Sequence, residues 1–136
     1  MSGGWRKEVI EVPAERLPQP RIRSTVPAVK LGPLLFVTGQ SGRHPGGQAA
    51  QEYSEDPADQ ARQTMENIKT ILEAAGSSFE HVLKRTIYIR DVESYASMRP
   101  IVDSYFSSPV ASTSVQTGFL HEKLIEVEDI AFVPED

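Results

Sequence analysis

Residues 56–76, DPADQARQTMENIKTILEAAG, decide the first helix of the fold. Asp56 can cap a helix and Pro57 fits its first position, because aspartate accepts from free backbone N–H groups and proline has no N–H to satisfy. Gly76 follows at a place where helices commonly end. Between these residues the apolar positions have helical spacing: Ala61, Met65, Ile68, Leu72 and Ala75. The stretch predicts an amphipathic helix with one face on a core.

Upstream of this helix the sequence predicts strands and loops. Residues 34–38 are continuously β-prone and end at Gly39, which is typical of a central strand covered on both faces. Glycine and proline in residues 41–48 predict a connecting loop. Residues 9–12 alternate and predict an edge strand. Prolines then interrupt regular structure and predict a loop: Pro13, Pro18, Pro20 and Pro27.

Downstream of the helix the pattern changes to a strand and a second helix. Residues 84–90 interleave polar and apolar side chains and end at Asp91, as a strand does. Apolar residues in the range 92–106 recur at helical spacing. Pro100 lacks the N–H that a helix interior needs, so we expect a turn and then a short helix that begins near Arg99.

The element order is therefore β-β-(β)-α-β-α-β-β, with an optional strand before the first helix and the last two strands at residues 112–117 and 124–132. Two amphipathic helices need an apolar surface, which a mixed sheet of five or six strands offers on one face. We expect one α+β domain, residues 1–136, in which residues 1–25 form a strand and a proline-rich loop and residues 26–133 form the core.

The second face of this sheet carries β-branched and aromatic side chains. They are Thr86, Tyr88, Thr113, Val115 and Thr117, whereas Ile87 and Ile89 point to the helices. Such a composition suits packing on another subunit better than full solvation. This composition predicts a symmetric homo-oligomer.

Composition excludes several classes of protein. The absence of cysteine excludes disulfides, thiolate nucleophiles and cysteine-ligated metals. A net charge of -5 argues against nucleic acid as a partner. His44, His81 and His121 are too far apart to show metal-ligand spacing, and we expect neither metal nor cofactor. Without an apolar stretch long enough to span a membrane, a cytoplasmic location is expected.

Five motifs carry the identity of the chain. They are Val29–Gly32, Phe36–Gln40, Gln60–Ile68, Leu72–Ser77 and Ile125–Ala131. In this order and spacing they closely resemble the Rid family, the YjgF-like reactive intermediate deaminases, also called L-PSP-type endoribonucleases.

This resemblance implies a chorismate-mutase-like protomer. Three protomers would pack sheet against sheet into a homotrimeric barrel with the helices outside and three clefts between neighbours. In the deaminase branch each cleft hydrolyses a 2-imino or 2-enamino acid to a keto acid and ammonia without metal or cofactor. A glutamate on the last strand helps to activate water there, and its position matches Glu126.

The sequence departs from that branch at the residue that grips the substrate carboxylate. The branch's Ala-Arg-Ser-Cys-Val segment matches Ala111–Val115, so Ser112 occupies the arginine position and Ser114 the cysteine position. A serine hydroxyl cannot make the paired charge-assisted bonds of a guanidinium. Thr25 likewise stands where a tyrosine is usual. We expect a substrate other than the simple 2-imino acids.

Other side chains are candidates for the substrate site. Arg43, after the Phe36–Gln40 motif, and Arg99 can replace the lost charge, although a solvated surface role is the alternative for both. Thr38 and Gln40 can line the cleft, although a tight turn explains the motif equally well. Ser112, Thr113 and Ser114 are expected to line a pocket and donate hydrogen bonds.

The leading hypothesis is a deaminase or related hydrolase of an imine- or enamine-containing metabolite, with Glu126 as acid and base. The alternative for Glu126 is a solvated strand face. The alternative for the whole protein is a non-catalytic trimer that binds a small metabolite. A ribonuclease is the third possibility, and the acidic charge disfavours it.

Overall fold

The computed structural model describes residues 5–46 and 52–135. It contains six strands and two α-helices. The strands are β1 (Lys7–Ile10), β2 (Ala28–Leu31), β3 (Leu34–Ser41), β4 (Val82–Ile89), β5 (Ala111–Gln116) and β6 (Ile125–Phe132), and the helices are α1 (Pro57–Ala74) and α2 (Val92–Ser104). A short 3₁₀ turn, Phe79–His81, precedes β4.

The strands form one mixed sheet in the order β1-β2-β3-β6-β4-β5. All neighbours are antiparallel except β4 and β5, which are parallel and are connected through α2. Both helices pack on one face, where apolar side chains from α1, α2 and the sheet are fully buried. This is the expected α+β fold, two helices on a mixed six-stranded sheet.

Helix α1 has the predicted ends. The Asp56 side chain accepts a hydrogen bond from the Ala58 backbone N–H at 3.1 Å, and Gly76 adopts a positive φ of 82° just beyond the helix. Four of the five predicted apolar positions are buried: Ala61, Met65, Ile68 and Leu72. The helix thus follows directly from local capping and periodicity.

Helix α2 contradicts the prediction of a break at Pro100. The helix runs uninterrupted from Val92 to Ser104 with the proline inside it. Pro100 is exposed, while Met98 and Val102 on either side are fully buried. Core packing of these two side chains outweighs the lost backbone hydrogen bond, which costs about 3 kcal/mol.

The N-terminal strands also differ from the prediction. The edge strand comprises Lys7–Ile10 instead of residues 9–12. A further strand, β2 (Ala28–Leu31), follows the proline-rich segment, in a region for which only a loop was expected. Both strands have four residues, too short for a clear alternating pattern. The optional strand before α1 is not found between residues 42–46 or 52–56.

The predicted alternation in β4 is confirmed. Ile87 and Ile89 are buried under the helices, and Tyr88 lies on the open face, opposite Glu126 of β6. Large apolar side chains remain exposed on that face, Phe36 at 42% and Val115 at 40%. Within the described part of the chain, no helix is long and apolar enough to cross a membrane.

Candidate functional site

A pocket of about 340 Å³ opens where three parts of the chain meet. Its walls come from the proline-rich loop before β2, from the end of β3 and the segment after it, and from the start of β6. Thr38, Gln40, Arg43 and Glu126, four of the residues expected from the sequence, all line it. The volume lies within the range of small-molecule sites.

An irregularity in the β3–β6 ladder shapes the floor of this pocket. The register shifts between Val37 and Gln40, and the strand bulges through Gly39. A Cβ atom at Gly39 would lie 3.0 Å from Oε2 of Glu126. Glycine therefore lets the carboxylate lie directly over the strand, because a larger residue would crowd it.

Glu126 has a defined partner on its other oxygen. The Lys123 Nζ lies 3.1 Å from Glu126 Oε1, and both side chains are largely buried, with exposures of 22% and 29%. Oε2 faces Gly39. The neighbouring Glu128 is exposed and accepts a hydrogen bond from the Tyr88 hydroxyl at 2.7 Å, which raises the pKa of Tyr88. The two glutamates of the Ile125–Ala131 motif thus occupy different environments.

Thr38 and Gln40 make local hydrogen bonds beside the carboxylate. The Thr38 hydroxyl donates to the Val26 carbonyl, and its backbone N–H donates to the Pro27 carbonyl at 3.0 Å. Gln40 Nε2 donates to the Thr38 carbonyl at 3.3 Å. These bonds fasten the proline-rich loop to β3, so the loop forms a fixed wall of the pocket.

Helix α1 positions the segment that follows β3. Asn67, fully buried, donates from Nδ2 to the carbonyls of Ser41 at 3.0 Å and Arg43 at 2.9 Å. Gly42 lies so close to the helix that an added Cβ would be 2.5 Å from the Gln60 carbonyl. The Gln60 side chain accepts from the Leu124 N–H at 2.9 Å. The Gln60–Ile68 motif therefore ties both ends of the pocket floor to α1.

Two arginines also line the pocket. Arg21, from the proline-rich loop, and Arg43, after β3, both contact the carboxylate of Glu52. Arg43 Nη1 also donates to the Gln19 carbonyl at 2.9 Å. These contacts hold two guanidinium groups at the wall, and Arg21 adds a charge that the sequence did not point to.

Comparison with known proteins places this geometry in a family. A profile of the Endoribonuclease L-PSP family matches residues 18–133, most of the chain. The chain belongs to the Rid family. A RutC family protein of Pyrococcus horikoshii is 40% identical over 128 residues, which cover 93% of this chain and 98% of that protein.

Two further Rid relatives carry more specific names. The 2-iminobutanoate/2-iminopropanoate deaminase of Salmonella typhimurium is 32% identical over 111 residues, covering 78% of this chain and 84% of the enzyme. The crystal structure of Escherichia coli TdcF with bound serine has a TM-score of 0.77 at 31% identity, covering 92% of this chain and 98% of that one.

The Rid pocket of this protomer does not include the remaining candidates from the sequence. Arg99 is exposed on α2. Ser112, Thr113 and Ser114 lie on β5, and β4 separates that strand from the β6 strand that carries Glu126. The Ser112 hydroxyl accepts from Arg85 Nε at 2.9 Å on the helix-facing side, whereas Thr113 pairs with Thr86 on the open face.

Three residues of the site were not among the candidates that we drew from the sequence. Arg21 lies in a loop without periodicity, and it comes to the pocket because Leu17, fully buried, anchors that loop. Glu52 follows a segment with no regular pattern. Lys123 precedes Glu126 by three positions, and that spacing is its one local clue.

Proposed function

We propose that this Rid-family protein is a deaminase that hydrolyses an imine- or enamine-containing metabolite to a carbonyl compound and ammonia. The single observation that carries the proposal is the carboxylate of Glu126. It is partly buried in a pocket of about 340 Å³, with one oxygen held by Lys123 and the other over Gly39. A carboxylate fixed in this way suits proton transfer to and from a bound substrate.

The chemistry needs only water and one group that moves protons. Water adds to the carbon of the C=N bond while Oε2 of Glu126 accepts one of its protons. The carboxyl then returns that proton to the nitrogen, which gives a carbinolamine. Glu126 next accepts the hydroxyl proton of the carbinolamine and passes it to the amino group, so that the C–N bond breaks with its electron pair on nitrogen and ammonia leaves as the C=O bond forms. An enamine first gains a proton on carbon to reach the imine. Lys123 keeps the second carboxylate oxygen in place throughout.

The named relatives support this assignment. One is a deaminase of 2-iminobutanoate and 2-iminopropanoate, and the TdcF structure contains serine, a small molecule with an amine and a carboxylate. This chain differs from the deaminase branch on β5, because Ser112 occupies the position at which that branch has an arginine. We therefore propose a substrate other than the simple 2-imino acids.

A homotrimer is part of the proposal. Phe36 and Val115 are exposed on the open sheet face, and Ile22 and Leu120 at the rim of the pocket are 68% and 80% exposed. Packing of three sheets would cover these apolar side chains and convert each pocket into an intersubunit cleft. A residue of β5 such as Thr113 would then reach the cleft from a neighbouring subunit.

A non-catalytic metabolite-binding trimer is the second candidate. The missing β5 arginine favours it, because a pocket can persist after the group that holds the substrate carboxylate is lost.

Ammonia release separates the two candidates. Imines and enamines generated in situ by an amino acid oxidase or dehydratase are mixed with the protein, and ammonia release is compared with the uncatalysed rate. Accelerated release supports the deaminase. Binding of the corresponding carbonyl products without any acceleration supports the binding protein and contradicts the enzyme.

A further inference from the structure

We propose that Arg21 and Arg43 form a carboxylate-binding site in the pocket that also contains Glu126. The assignment of the reacting end rests on the proposed function, whereas the anion site itself is a binding property. The two arginines would supply, from within one protomer, the positive charge that is missing at Ser112 of β5.

Charge at the pocket favours a monoanion. Lys123 is neutralised by Glu126, while Arg21 and Arg43 share the single carboxylate of Glu52. Three cations against two carboxylates leave one positive charge, in a chain whose net charge is -5. A single carboxylate matches this balance, whereas a dianionic phosphate would leave a net negative charge in a partly buried site.

Both guanidinium groups retain donors for a ligand. Arg43 uses Nε toward Glu52 and Nη1 toward the Gln19 carbonyl, and Arg21 uses Nη2 toward Glu52. Among the described residues, none accepts from Arg43 Nη2, whereas Arg21 has Tyr53 as a second neighbour after Glu52. Since a guanidinium carries five N–H donors in a planar fork, each arginine can still bond a carboxylate oxygen.

Arg43 and Glu52 are held in place before a ligand arrives, whereas the Arg21 side chain is 44% exposed. The Arg43 side chain is only 22% exposed, and its backbone carbonyl accepts from buried Asn67. Glu52 is 14% exposed in its side chain, and its backbone carbonyl accepts from the His44 N–H at 2.9 Å. Side chains that are already ordered lose less entropy on binding.

Apolar side chains also line the pocket. Pro18, Pro20 and Ile22 line it on the loop side, and Leu120 lines it on the β6 side. The substrate class that fits is a monocarboxylate that carries an imine or enamine group and an apolar or unsaturated chain.

A pair of probes that differ only in charge tests the site. 2-Oxobutyrate and its neutral amide, 2-oxobutanamide, are titrated by NMR into the wild type and into Arg21→Gln/Arg43→Gln. We expect the wild type to prefer the acid, and the double variant to bind the acid about tenfold more weakly or worse while its affinity for the amide is unchanged. Arg23→Gln, an exposed arginine of the same loop outside the pocket, is the control and should match the wild type.

Glu52→Gln distinguishes a ligand site from a structural ion-pair cluster. Removing the internal carboxylate frees both guanidinium groups, so we expect 2-oxobutyrate to bind several-fold more tightly and the amide to be unaffected. A loss of acid binding in Glu52→Gln as large as in the arginine variant would overturn the proposal. So would equal loss of acid and amide in the arginine variant, or inorganic phosphate that binds more tightly than 2-oxobutyrate.

These outcomes are independent of turnover. Absence of ammonia release with intact, arginine-dependent binding contradicts the proposed function and leaves the anion site standing. If ammonia release and acid binding are both unchanged in the arginine variant, the proposed function stands and the anion site is contradicted.

Discussion

Gly39 lies beneath the carboxylate of Glu126 so closely that a methyl group there would be 3.0 Å from Oε2 and 3.1 Å from Cδ. The φ of Gly39 is not positive, so alanine fits the backbone, and the atoms that it would displace are those of a side-chain end. We expect Gly39→Ala to fold with little change in thermal stability and to lower kcat about tenfold, because small displacements of a reacting group are costly. Thermal unfolding and ammonia-release kinetics on the same sample check this. A large loss of stability would show that the glycine is needed for the bulge rather than for the carboxylate.

The two glutamates of β6 should differ in their contribution to catalysis. Glu126→Gln should keep the fold and ligand binding while kcat falls by about 10²-fold or more, the usual scale for loss of a general acid and base. Glu128→Gln is the matched control, since Glu128 is exposed and bonded to the Tyr88 hydroxyl. Equal losses in both variants would move the proton transfer away from Glu126.

The open sheet face should be an interface between subunits. We expect a mass of about 45 kDa in solution, three times the 15.0 kDa of one chain. Val115→Asp should dissociate the trimer, because a charge buried at an interface costs several kcal/mol. Val92→Asp places the same change on an exposed position of α2, at 64% exposure, and should leave the assembly intact. Light scattering that finds a stable wild-type monomer would contradict the trimer and the intersubunit cleft.

Asp129 should make the protein less stable as the pH rises. Its carboxylate is buried without a hydrogen-bond partner among the described residues. Burial raises its pKa from 3.8 to about 7, against the opposing charge of Arg85 and with a smaller addition from Glu128. The folded state therefore holds a proton that the unfolded state releases near pH 4, and stability is lost between pH 4 and 7, on the order of 4 kcal/mol in all.

Asparagine at this position mimics the protonated acid at every pH. We expect Asp129→Asn to match the wild type in thermal unfolding near pH 4 and to be clearly more stable at pH 8. Asp59→Asn, an exposed aspartate on α1, should show no such dependence. Parallel unfolding curves for the wild type and Asp129→Asn across this range would refute the assignment.

Sequence patterns predicted the parts of the fold that depend on local chemistry. Asp56 and Gly76 delimit α1 through capping, and Ile87 and Ile89 set the faces of β4 through alternation. The continuity of α2 through Pro100 could not be read in this way, because it depends on the burial of Met98 and Val102 against elements far away in sequence.

The same distinction applies to the candidate site. Thr38, Gln40 and Glu126 lie in or near motifs, so their place in one pocket was predictable from the resemblance. Arg21 and Glu52 are in contact only because two irregular loops converge on Arg43, and no periodic pattern in the sequence predicts such a contact. Ser112 faces α2 because of strand register, and a shift of one residue on a strand changes the face.

The central place of β6 in the sheet has a consequence for synthesis on the ribosome. β1 to β3 form one antiparallel ribbon and β4 with β5 another pair, and they join only when residues 125–132 are inserted between them. Until the ribosome has released this segment, the nascent chain has two incomplete sheets with unpaired inner edges, which invite association with other chains. Glu126 itself lies on that strand. Completion of the sheet and formation of the pocket around Glu126 are therefore one event.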